Sequence, residues 1–154
     1  MAGRLQHSPA RVTQQLLIDL ELGVAPSVPT PPNIVAHTDW SVFYDSMPNS
    51  PDKVIVVTDT QANSFLNDGF GERNIHHGIQ VRVRAGTHDT GWDKANEIAY
   101  TLDRQRNARG VEVAGVNYCI AVVKVVGDVL RMGPEPNSTR RNYSINLLVA
   151  VLAM

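Results

Sequence analysis

The residues able to do chemistry are few in this chain and poorly spaced for it. His76 and His77 are adjacent, and neighbouring side chains on an extended strand point to opposite faces, so the two do not readily share one metal ion. His88 and Asp89 are candidates to join one of them. However, the sequence has neither an HxxxH nor a CxxC spacing, so no metal site is expected. Cys119 is the single cysteine, which excludes an internal disulfide and a thiolate zinc cluster; within its apolar run it is expected to pack as a small hydrophobe, and a lone thiol suits a reducing cytoplasm. No GxSxG elbow presents a serine nucleophile. Asp93 and Glu97 lie one helical turn apart with Lys94 between them, the pattern of a solvated helix face. Gly69-Phe70-Gly71 is followed by Glu72, Arg73 and Asn74, with no lysine placed to hold a phosphate. No catalytic residue and no cofactor is expected, and the enzyme class is disfavoured.

The arginines are the remaining chemical feature. Arg82 and Arg84 share one face of a strand, and Arg140 and Arg141 precede the last strand. In a single copy these are solvated charges; in a ring, symmetry would multiply them into a charged lumen or a docking rim. Fourteen Lys and Arg against fifteen Asp and Glu give a net charge of -1, which excludes the strongly basic balance of a dedicated nucleic-acid binder. With 154 residues, 43% of them hydrophobic and 19% charged, the chain is expected to form one globular domain over 1–154. No run approaches the ~18 apolar residues of a membrane-spanning helix, and no apolar signal core follows Arg4.

The elements that must position these residues are legible in part. Ser8-Pro9 is an N-cap followed by proline at the first helical position, and Val12, Leu16, Leu17 and Leu20 predict a helix to about Leu22, ended by Gly23. Ile18 and Leu22 widen its apolar stripe beyond what one sheet contact needs; plain core is the favoured reading, and a subunit interface is the alternative. Residues 24–33 carry four prolines and read as a connector; their PxxP spacing lacks a flanking basic residue. Ile34 to Ala36 and Ser41 to Tyr44 are short strand candidates. Lys53 to Thr58 is a strand buried on both faces. Ile79, Val81, Val83 and Ala85 alternate with Gln80, Arg82 and Arg84, as expected when one sheet face packs on helices. Thr60 to Arg73, lying between these strands, is longer than a hairpin needs and reads as a loop whose Phe65, Leu66 and Phe70 invite a partner. A second helix from about Thr90 to Arg106 is expected beside the first, followed by a hairpin turning at Ala114-Gly115. Gly127 to Met132 adds a bent strand, and Tyr143 to Leu152 closes the sheet. The order predicts an α+β fold: a mainly antiparallel sheet with two helices packed on one face.

Five strings taken in order carry a family likeness: Ser8-Pro9-Ala10 with Val12 to Leu20, Val54 to Thr60, Gly78 to Arg84, Gly91 to Ile98, and Pro136 to Arg141. Together they resemble the tail terminator or minor capsid proteins of long-tailed bacteriophages. The resemblance implies a fold like that of the flexible lambda-type tail terminator: a small α/β subunit that assembles as a hexameric ring on the tail tube, stops its growth and offers a surface for joining the head. It implies a homo-oligomer with the tail tube protein and a head-completion or stopper protein as partners, and viral DNA passing through the lumen without sequence recognition. It also implies a place in the virion tail or neck after assembly in the host cytoplasm, with no membrane association. In this picture Phe65, Leu66, Asp68, Phe70 and Arg73 contact the tube or a neighbouring ring, the edges of the alternating strand help build the subunit interface, and Ile18, Leu22, Arg82, Arg84, Arg140 and Arg141 face a neighbouring subunit or the lumen. The alternative is a head-completion or stopper ring of the same neck, and, less favoured, a small cytoplasmic enzyme.

Overall fold

The computed structural model describes residues 5–26, 40–49, 52–67, 73–105, 107–133 and 135–153. The first helix, α1 (Pro9–Asp19), begins as its capping residues dictate: the Ser8 hydroxyl accepts from the Arg11 N–H, and proline occupies the first turn. A second acceptor reaches the same end, because the Asp59 carboxylate takes the Ala10 N–H at 2.9 Å. These acceptors satisfy donors that the helix itself leaves unpaired. The helix ends earlier than its apolar pattern suggests. Glu21, at φ 59°, supplies the left-handed residue, whereas Gly23 is needed for close packing: a Cβ there would collide with Val42 and lie 2.7 Å from the Trp40 carbonyl.

Six strands follow: β1 (Ser41–Tyr44), β2 (Val54–Asn67), β3 (Arg73–Ala85), β4 (Arg109–Val113), β5 (Val116–Met132) and β6 (Arg141–Ala153), with α2 (His88–Asp103) between β3 and β4. They form one sheet in the order β1-β2-β3-β6-β5-β4. Among the described strands the β1–β2 pair is parallel and the other four pairs are antiparallel, and an isolated parallel bridge joins Val24 to Ser41 of β1. The mainly antiparallel α+β expectation therefore holds. Strand β3, however, lies between β2 and β6, with a hydrogen-bonded neighbour on each side. Its alternation has an outward face but no free edge, so the expectation that its edges build an interface fails.

Both helices pack into the same core. Ile55, Val57, Ile79, Val81, Val83, Ile145, Leu147 and Val149 from the sheet meet Val12, Leu16 and Leu17 of α1 and Ala95, Ile98 and Leu102 of α2, each of these 2% exposed or less. Burying each such side chain contributes about 1.5–3 kcal/mol. The helices scarcely touch each other, contrary to the expected side-by-side packing. α2 covers β3, β5 and β6, while α1 reaches β1 and β2 on one side and β4 on the other. The sheet curls enough for one helix to meet strands near both of its borders.

The stretch expected as a loop from Thr60 to Arg73 is strand wherever it is described. Thr60 to Asn67 and Arg73 continue as paired strand, with Phe65 opposite Ile75, Leu66 opposite Asn74 and Asn67 opposite Arg73, after a bulge between Asp59 and Asn63. Residues 68–72, Asp68 and Phe70 among them, lie outside the described residues, as do Ile34 to Ala36 and most of the 24–33 connector. The bent strand expected after Gly127 is the second half of β5, joined to the first through Gly127 at φ 74° and a shift in register.

Candidate functional site

The described histidines do not converge. His76 and His77 lie on β3 opposite Ser64 and Asn63, and burial is the main cause holding His77 below the usual histidine range, against the raising effect of Asp59. His88, at the start of α2, pairs through Nδ1 with the hydroxyl of Tyr143, which also donates to the His88 carbonyl at 3.2 Å. Trp92 stacks on the same imidazole at 6.3 Å between ring centroids. Tyr143 is fully buried, so this arrangement satisfies a core hydroxyl. His7 does the same for buried Tyr118 at 2.7 Å. Among the described residues no group of three or more His, Cys, Asp or Glu is placed to hold a metal ion.

The arginines separate into two settings. Arg82 and Arg84 project from β3 on the face away from the helices, opposite Ser144 and Asn142 of β6. Arg84 is only 2% exposed, which corrects the expectation of a solvated charge. Burial is the largest influence lowering its pKa, followed by Arg140, with Glu135 and Asp52 acting the other way. Ser144 and Asn142 are also buried, and the Arg82 Nε, Ser144 Oγ and Asn142 Oδ1 atoms have no hydrogen-bond partner among the described residues. Part of the cover comes from the turn before β6, where Glu135 accepts from the Asn142 amide at 3.1 Å. Arg140 belongs to a clamp. Its guanidinium binds Asp52 at 2.8 Å and the Asn49 carbonyl at 2.6 Å, with Glu135 at 3.9 Å, tying the turn before β6 to the turn before β2. Arg141 donates to the Thr139 and Arg140 carbonyls.

The apolar candidates on α1 and just after it pack with the core. Leu22 is 3% exposed within the core, and Ile18 packs against it. The exposed apolar surface lies elsewhere. On the face of β5 away from the helices, Val122, Val126, Leu130 and Met132 are 45%, 43%, 52% and 37% exposed, and Leu152 of β6 adds to the row opposite half-buried Cys119. This row was missed because Tyr118 to Val126 is apolar at nearly every position, the mark of a strand covered on both faces. The run tells nothing of whether the second cover lies within one chain.

Among the described residues no group of metal-ligating side chains converges, and a long apolar row is exposed on β5. Residues 16–141 match the family model described as bacteriophage tail terminator protein. The chain belongs to the bacteriophage tail terminator family. That family consists of structural virion proteins and not enzymes. A search of curated proteins gives no match. No described helix is long and apolar enough to cross a membrane.

Proposed function

We propose that this chain forms a hexameric ring on the end of the phage tail tube, where it stops tube polymerisation and presents the surface to which the head is joined. The family match over residues 16–141 carries this reading. The scarcity of converging chemical groups and the apolar row on β5 support it, because a subunit working by repetition about an axis needs complementary surfaces more than reactive side chains. Its partners are other copies of itself, the tail tube protein and a head-completion or stopper protein, with viral DNA threading the lumen without sequence readout. Assembly takes place in the host cytoplasm before the ring becomes part of the virion neck. Phe65, Leu66, Asp68, Phe70 and Arg73 contact the tube or a neighbouring ring. Arg82 and Arg141 are the arginines best placed for a lumen or rim, since Arg84 is buried and Arg140 is engaged internally.

Averaged electron micrographs of purified tail tubes incubated with the chain test this reading. A six-fold ring at one tube end is expected. Bare ends at saturating concentration contradict it, and a ring found only on the head-side stopper assigns the chain to the stopper position instead.

A further inference from the structure

Strand β5 runs from Val116 to Met132, but β4 covers its outer side only from Val116 to Ile120. Residues 121–132 pair with β6 on the inner side and, among the described residues, with no strand on the outer side. The opposite border of the sheet shows the same situation. β1 covers β2 only from Val54 to Val57, and among the described residues Thr58, Asp59 and residues 63–67 pair with β3 alone, across the bulge between Asp59 and Asn63. Each border is thus an open backbone edge of comparable length, blocked at one end by a short strand. An open edge presents a row of N–H and C=O groups that template pairing with another chain.

We infer that the open edge of β5 in one copy pairs with the open edge of β2 in the next, continuing the sheet from subunit to subunit; this rests on the ring reading above and assigns its interface. Polarity allows it. Because β2–β3, β3–β6 and β6–β5 are all antiparallel, β5 runs opposite to β2, and repeating the unit sideways sets β2 of the next copy antiparallel to β5. The blocking strands allow it as well. β4 sits level with the C-terminal end of β6 and β1 level with its N-terminal end, so copies displaced along the strand direction interlock with β4 and β1 at opposite ends of the joint. An antiparallel joint of this length forms about ten backbone hydrogen bonds over about 30 Å. The row Val122, Val126, Leu130 and Met132 flanks it, while Lys124, Asp128 and Arg131 interrupt the edge with charge, a common guard against indiscriminate pairing. Two different edges meeting head to tail make a heterologous contact, the kind that closes into a ring.

Amide hydrogen exchange of the full chain, free and assembled on tail tubes, tests the assignment. In the assembled form, exchange over residues 121–132 and 58–67 is expected to slow by roughly tenfold or more, with β4 unchanged. Cross-linking gives an independent readout. In a Cys119→Ser background, Thr60→Cys combined in turn with Val122→Cys, Val126→Cys or Leu130→Cys is expected to yield, for at least one pair, a covalent ladder under oxidation. Thr60→Cys with Tyr100→Cys, on the outer side of α2, yields none. A ring that assembles with both edges exchanging as in the free chain, and without any ladder, overturns the edge pairing and leaves the ring standing. Absence of any ring on the tubes overturns both.

Discussion

Tyr118 and Tyr143 carry the heaviest polar obligation in the core, since each buries a hydroxyl completely and each meets it with a histidine from another element. Replacing Tyr143 by Phe leaves His88 Nδ1 without its partner and is expected to cost about 1 kcal/mol in urea denaturation. Burial raises the pKa of Tyr143, against the opposing charges of Arg131 and Arg141. The folded state therefore holds this proton more tightly than the unfolded chain. The associated stability is complete below the ordinary tyrosine value, near pH 10, and is lost as pH rises from there through the raised value of the folded state; alkaline denaturation of Tyr143→Phe should lack that component. His77 has the opposite sign of dependence on proton binding. Its lowered pKa means that stability present at neutral pH declines as pH falls below about 6.5, and His77→Gln should flatten that slope between pH 7 and 5. Residue identity gave no reason to expect Arg84 to be buried, because alternation reveals which face a side chain takes and says nothing of what covers that face.

Turns and bulges decide how the elements are joined. Ala114 and Gly115 both have positive φ, 49° and 81°, between Val113 and Val116, which are paired directly. A two-residue hairpin loop of this kind favours Asn-Gly, and alanine is strained at the first position. Ala114→Asn is expected to raise stability by about 0.5–1 kcal/mol, read as a higher denaturation midpoint at unchanged slope. At Gly91 a Cβ would lie 2.6 Å from Tyr143 Cε2. Gly91→Ala should therefore destabilise α2's docking by about 1–3 kcal/mol, even though alanine is the better helix former. The helices, β1, the β4–β5 hairpin and the closing strand were legible in caps, periodicity and turn residues. The arms of the β2–β3 hairpin were not, because Thr60 to Arg73 is rich in polar and glycine residues and lacks alternation. There the pairing partner, distant from any local signal, determines the strand.

At the level of the whole molecule, the layering followed from the order of elements, but the strand order did not. The crossing that sets β6 between β3 and β5, and the parallel addition of β1, depend on long-range pairing that no single segment encodes. That order leaves both borders open among the described residues and turns the arginine-bearing strand inward. Family membership joins these borders to a tail component, and the sequence resemblance had pointed to the same family through strings that contain no reactive constellation. The most direct test is the length of tubes grown from purified tail tube protein while the chain is added in substoichiometric amounts. Growth should cease at tube ends that have acquired the chain, giving tubes whose mean length falls as more is added. Tubes that keep elongating to the same length distribution at every concentration would contradict a terminator role.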